Sequence, residues 1–275
     1  MALPTHATTE EKVGYWALRV FSALVFLFLM APLLAIIPLS FNSESFFSYP
    51  MPGFSLRWYE DFFFNARWQS ALRMSLIVGL STTVAATCLG TLAALGLARS
   101  NLPGRAAIMA VLISPMIVPV IITAVGMLLF YSQIHLANSI LGLVIAHTAL
   151  ATPFVVIVVT ATLSSFDRTL TRAGASLGAS PSRTFFKVVL PLILPGVISG
   201  ALFAFVTSFD EVVVALFLAS PEQRTLPKQM FSGIRELISP TITAAATVLI
   251  VFSTLMLITV ELLRRRSERL RGIRA

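Results

Sequence analysis

Apolar residues in this chain come in long, nearly unbroken runs. They show neither the three-to-four spacing of an amphipathic surface helix nor the alternation of a half-buried strand. Six runs stand out, at about 15–39, 72–98, 106–131, 139–163, 188–218 and 240–263. A helix needs roughly 20 such residues to cross about 30 Å of hydrocarbon. In lipid a backbone must satisfy its own N–H and C=O groups, so the runs are expected to be helices. The pattern predicts an all-α, polytopic membrane protein with six transmembrane helices. Its expected parts are a tail at 1–14, a transmembrane domain at 15–263 with an exposed loop at 164–187, and a basic tail at 264–275. The first run exceeds a signal-peptide core of roughly 7–15 residues. No clear small-x-small cleavage site follows it, so it is expected to be a retained span.

Composition fits this picture. Of 275 residues 57% are hydrophobic and 12% charged, against about 25% charged in a soluble domain. The runs hold most of the chain, which leaves no sizeable soluble domain. The net charge of +8 would suggest nucleic acid in a soluble protein, but its distribution says otherwise. Thirteen of the 20 Lys and Arg fall in the two tails and in the loops after the second and fourth runs. Arg57, Arg67, Arg73, Arg224, Lys228 and Arg235 lie in the other three loops or at their edges, and Arg19 lies inside the first run. Lys and Arg stay on the cytoplasmic side, so both termini are expected in the cytoplasm. Arg264, Arg265, Arg266, Arg269, Arg271 and Arg274 form the strongest anchor. Cys88 is the single cysteine, which excludes a disulfide or a cysteine metal site within the chain.

Small residues and prolines punctuate the runs. Gly79, Gly90, Ala94 and Gly96 in the second allow close helix approach. Pro115 and Pro119 in the third and Pro153 in the fourth are expected to kink their helices, either as hinges or as static packing features. His147 in the fourth run reads as a hydrogen-bonded packing residue. After the first run, a turn signal at Pro50-Met51-Pro52-Gly53 precedes Leu56-Arg57-Trp58-Tyr59-Glu60-Asp61-Phe62-Phe63-Phe64. This mixture suits an amphipathic helix at headgroup level. It is either a docking surface for an external partner or an ordinary aromatic belt.

The most informative loop runs from Ser164 to Pro191. Ser164 or Ser165 can cap a helix starting near Asp167. Gly178 can end that helix in a left-handed conformation, and Ser180 with Pro181 can start a second. The result is two short basic helices with apolar Leu170, Leu177, Phe185 and Phe186 at intervals. Such a unit fills a groove in another protein or lies on anionic lipid.

This segment closely resembles the EAA loop of ABC importer permeases, whose pattern is Glu-Ala-Ala, then Gly, then Ile-x-Leu-Pro at fixed spacing. Here Ala173, Gly178, Val188 and Leu190-Pro191 fit, and Leu177-Gly178-Ala179-Ser180 matches the family's wording around the glycine. Arg172 stands where Glu is usual and Gly174 where the second Ala is usual. The departure at Arg172 puts a salt bridge from that position to the ATPase in doubt. Ser208-Phe209-Asp210-Glu211-Val212-Val213 and Thr225-Leu226-Pro227 are similar to the spermidine/putrescine permeases, while opine, phosphonate and iron importers share parts of the pattern. The resemblance covers essentially the whole chain. It implies the type I importer permease fold in the bacterial inner membrane, and an ATP-driven importer of a small solute, with a polyamine first. It also implies a second permease subunit, a periplasmic substrate-binding protein and a dimer of ATPase subunits. The ATPase would dock on Ala173, Gly174, Leu177, Gly178, Ala179, Ser180, Val188, Leu190 and Pro191.

Asp210 and Glu211 are the only carboxylates deep within the runs. A charge at the bilayer centre costs at least about 2.5–3.5 kcal/mol, so such groups face a bundle interior or a watered path. On a continuous helix, at about 100° per residue, Glu211 projects between Gly200 and Ala204. It then lies beside the small-residue row Gly196, Gly200, Ala204, Ser208. The pair either lines a translocation path, where it suits a cationic amine, or is held by neighbouring Ser and Thr. Thr243, Thr247 and Thr254 in the last run are either polar lining or packing.

Lys12, Lys187 and Lys228 are the three lysines, and none is followed by Ser or Thr in a Gly-rich loop, so the chain has no Walker A sequence. HExxH and GxSxG motifs are also missing. The chain is expected to be a transport subunit that binds no cofactor, with ATP and Mg²⁺ on the partner ATPase. A stand-alone secondary transporter is the other class considered, and the inverted repeat typical of many such proteins is not evident.

Overall fold

The computed structural model describes residues 8–48, 50–98, 102–236 and 238–270. Helix α1 (Thr9–Leu39) begins at a capping box, with the Glu11 N–H donating to the Thr8 hydroxyl and the Thr8 N–H to the Glu11 carboxylate. It has no buried residue and lies against α12 (Pro240–Leu270). The short α2 (Arg57–Phe64) follows an irregular loop. Trp58 donates its indole N–H to the Asn42 carbonyl at 2.6 Å, Tyr59 meets Ser40 at 2.6 Å, and Phe62 packs on Trp68. Its aromatic residues thus serve both packing and exposure, since Phe64 points outward.

The bundle is built on α3 (Ala66–Leu97), α6 (Ile140–Ser164) and α9 (Leu190–Asp210), each packed on the other two. Close approach needs small residues where lipid supplies no hydrophobic drive. Val155 of α6 is wedged between two glycines. A Cβ on Gly90 would sit 2.6 Å from the Val155 Cβ, and one on Gly200 3.2 Å from the Val155 Cα. Gly196, Gly200, Ala204 and Ser208 are all buried on α9, as are Gly79 and Ala94 on α3. Gly96 has open space beside it and takes no part in the packing. The Thr243 and Thr247 hydroxyls donate to the Pro240 and Thr243 carbonyls of their own helix.

The structure departs from the expected spans in three places. The third run is two helices, α4 (Arg105–Ile117) and α5 (Val120–Gln133), bent by 100°. Pro119 causes the break. It has no N–H to give and excludes the helical conformation at Val118, which is extended at ψ 132°. Pro115 and Pro153 sit inside helices that continue past them. Among the described residues five helices are long and apolar enough to cross a membrane, six if the bent pair counts as one span. The fifth run is also discontinuous. It ends as α9 at Asp210, breaks at Glu211–Val212 and resumes as α10 (Val213–Leu218). Finally, α12 continues to Leu270, so the basic tail starts as helix; Arg271, Arg274 and residues 1–7 lie outside the described residues.

Hydrogen bonds sort the connections onto two ends. The Arg168 guanidinium donates to the Ala98 carbonyl, which joins the 164–187 loop to the end of α3. At the other end the Asn138 N–H donates to the Leu218 carbonyl at 3.0 Å and the Thr241 hydroxyl to Asp61 at 2.8 Å. Between α5 and α10 lies an apolar cluster with Ala124, Tyr131, Val214 and Leu218. A second cluster, with Ala86, Ala94, Val155 and Ile193, lies toward the loop.

Candidate functional site

In the loop, α7 (Thr169–Ser176) is capped differently from the expectation. Ser164 turns back to donate to the Ala161 carbonyl. Asp167 instead accepts the Thr169 hydroxyl at 2.7 Å and the Thr169 N–H at 2.9 Å. These bonds, the hydroxyl's first, hold its carboxyl below the usual range. The helix ends at Gly178, at φ +75°. The Gly178 N–H donates to the Ala175 carbonyl and the Ala179 N–H to the Gly174 carbonyl, both at 3.0 Å. This pair of bonds is the Schellman arrangement, which wants a residue without Cβ at the left-handed position.

The second helix starts where its cap requires. The Ser180 hydroxyl accepts the Arg183 N–H, and Pro181 occupies the first turn of α8 (Pro181–Thr184). A single π turn over Phe185–Val189 then leads into α9. Its widening suits Pro191, whose ring crowds the carbonyl four residues back and which lacks an N–H. The two short helices cross at Gly174, where a Cβ would meet the Thr184 hydroxyl at 3.3 Å. Leu190 packs on the Ala86–Ile193 cluster and Val188 is half-buried, whereas Ala173, Ser180 and Pro191 are exposed. Leu177, 88% exposed, projects from the turn as an apolar knob, with Phe186 and Leu170 also exposed. Arg172 is exposed too.

The acidic pair does not form one site. The helix stops at Asp210, and Glu211 turns to extended backbone at ψ 115°. Its carboxylate turns to accept the Val214 N–H at 2.9 Å and so caps α10. Two adjacent carboxylates on a continuous apolar helix in lipid would be costly, and ending the helix there gives one of them a backbone partner. Asp210 faces elsewhere, onto a cavity of about 160 Å³ between α9 and α12, closed at one side by Pro227 of α11 (Leu226–Glu236). Sequence reasoning missed the other walls of that cavity, Phe205, Phe209, Phe252 and Ser253. Phe205 and Phe209, four apart on α9, were a visible signal; Phe252 comes from another span. Two residues before Asp210, Ser208 meets the buried His147, whose Nδ1 lies 2.9 Å from its hydroxyl and so holds α6 to α9.

Residues 86–269 match the family described as binding-protein-dependent transport system inner membrane component. The chain belongs to this family. Its members are permease subunits of ABC importers rather than enzymes, and this chain is accordingly an ABC importer permease, a multi-pass membrane protein. Among its relatives is the putrescine transport system permease protein PotI of Escherichia coli (strain K12), 35% identical over 234 residues, 82% of each chain. The spermidine/putrescine permease PotC of Haemophilus influenzae is 31% identical over 248 residues, 90% of this chain and 96% of the relative. A permease chain in the crystal structure of a bacterial ABC transporter that imports alginate superposes with a TM-score of 0.71. It is 15% identical and covers 96% of this permease and 99% of that chain, a likeness of fold.

Proposed function

We propose that this permease forms half of the translocation path of a polyamine importer, with putrescine or spermidine as solute. The observation that carries the reading is the similarity, over most of both chains, to permeases named for these amines. The Asp210 carboxylate, at a cavity beside the span break and without a hydrogen-bond partner among the described residues, supports it, because a cationic solute is complementary to it. In this reading a second permease completes the path, and a periplasmic binding protein delivers solute near α2 and α11. Of two ATPase subunits, one docks on the loop around Leu177 and Gly178 and the other on the matching loop of the second permease. ATP and Mg²⁺ belong to those subunits, and this chain binds neither. The Lys/Arg asymmetry puts both termini and the loop in the cytoplasm of a bacterial cell. The ATP-bound state must hold the loop differently, since only differential binding shifts an equilibrium.

The test is reconstitution of the permease with its partner permease, ATPase and binding protein in proteoliposomes. ATP-dependent uptake of radiolabelled putrescine or spermidine is expected. Uptake no greater than without ATP, or uptake of an opine, a phosphonate or iron instead, overturns the substrate reading. For topology, a cysteine at Ser182 in a Cys88→Ser background is expected to resist impermeant thiol reagents in sealed cells, and labelling from outside overturns the orientation.

A further inference from the structure

At the end of the bundle away from the 164–187 loop, several cations already have work. Arg57 lies over the Trp58 ring at 4.1 Å, and Arg224 and Lys228 donate to the Pro221 and Ala219 carbonyls. Arg73 lies inside the apolar run at 72–98, on the exposed side of α3. It has no hydrogen-bond, ion-pair or ring partner among the described residues. It lines an open groove of about 440 Å³ with Gln69, Leu72, Leu76, Ile77 and Leu80 of α3 and Phe63 of α2. Leu76, Ile77 and Leu80 are all exposed along that groove.

Helix geometry gives the depth of Arg73. From Arg73 to Leu97, the loop-side end of α3, is about 36 Å at 1.5 Å per residue. An ordinary tilt of about 20° shortens this to about 34 Å. The hydrocarbon is about 30 Å thick. With Leu97 at one hydrocarbon edge, Arg73 therefore lies just beyond the other, at the level of the lipid phosphates. Long helical side chains lean toward the helix N-terminus, which carries the guanidinium farther toward the headgroups. Leu76, Ile77 and Leu80 continue the groove inward.

We propose that this groove seats one anionic phospholipid of the phosphatidylglycerol type, from the leaflet opposite the loop, with its phosphate on Arg73 and an acyl chain along Leu76, Ile77 and Leu80. A guanidinium pairs bidentately with phosphate oxygens, and the aliphatic wall suits a hydrocarbon chain. No carboxylate lines the groove, so the ammonium of phosphatidylethanolamine meets Arg73 with nothing to offset the repulsion. A glycerol head carries no such charge. A protein helix fits this face less well. Helices in lipid approach closely through small residues, and Ala71, Ser75, Gly79 and Ala86 of α3 are already buried in the bundle. The groove offers Leu72, Leu76, Ile77 and Leu80 in their place.

The experiment uses the complete transporter in proteoliposomes of equal mole fractions of phosphatidylglycerol and phosphatidylethanolamine. A photoreactive p-benzoylphenylalanine is placed at Leu80, and the cross-linked permease is weighed by mass spectrometry. The phosphatidylglycerol adduct is expected to exceed the phosphatidylethanolamine adduct about fivefold. Arg73→Gln is expected to bring the ratio near one, and Arg73→Lys, which keeps the charge, to retain most of the preference. Equal adducts in the parental protein mean ordinary surrounding lipid and overturn the site. A cross-link to the second permease overturns it too, since a protein would then cover the groove. An undiminished preference in Arg73→Gln shows that Arg73 does not hold the phosphate and likewise overturns the proposal.

Discussion

Gly178 offers a clean perturbation of the loop proposed to dock the ATPase, because nothing lies within 4 Å of a Cβ built there. A substitution therefore acts on the backbone, not through crowding inside the chain. At φ +75° an ordinary L-residue costs about 1–2 kcal/mol, and a β-branched one more. Because the cap at Gly178 is closed by local backbone bonds, 1–2 kcal/mol reduces the population of the capped form about 5–30-fold. Asn tolerates this conformation. Docking and uptake are thus expected to rank Gly178 and Gly178→Asn above Gly178→Ala, with Gly178→Val lowest, at equal amounts of protein in the membrane. The assay is co-purification with the ATPase together with solute uptake in cells. Parental docking and uptake by Gly178→Val refute the argument. An Asn variant as poor as the Val variant refutes it differently, since the partner would then be reading the missing side chain.

Gly90→Ala is expected to destabilise the purified protein by about 1–3 kcal/mol through contact with Val155, and an unchanged thermal midpoint in detergent would contradict this. Val155→Ala should restore part of the loss when combined with it. Glu211→Gln keeps an acceptor for the Val214 N–H and should leave stability near parental, whereas Glu211→Ala should cost about 1 kcal/mol; equal midpoints for the two would sink the capping role. Arg172→Glu places the usual family residue on an exposed position and should co-purify with the ATPase. Complete loss of assembly would mean that Arg172 itself meets an acidic partner.

The membrane-spanning character of the chain was legible because the solvent dictates it: each run had to be helix and had to be long. The turn at Gly178 and the start at Ser180-Pro181 were legible because both rest on local backbone chemistry. Hydropathy is blind to where an apolar run stops being a helix, which is why the third and fifth spans were read as continuous. Pro119 carried a signal for its break, since it restrains Val118 directly. The break after Asp210 has no Gly or Pro. Its only mark was the acidic pair itself, read as path lining or as a pair held by neighbouring Ser and Thr; ending the helix instead gives Glu211 a backbone partner. Asp167 took the capping role expected of Ser164 or Ser165 because its carboxylate reaches two Thr169 donors at once. The cavity at Asp210 and the His147–Ser208 bond join residues far apart in sequence and needed the fold.

The segment Pro181–Asp210, 30 residues counting α8, the π turn and α9, is one helical rod about 45 Å long at 1.5 Å per residue. Its first turn touches Gly174 of the loop and its last residue is Asp210. A rod of that length is a lever arm: if it pivots at the Val155 packing point, a tilt of its loop end swings Asp210 the opposite way. On the proposed docking of an ATPase at Leu177, the loop and the far end of the rod would then be mechanically one variable. Softening the rod between them, rather than weakening either end, would uncouple the two.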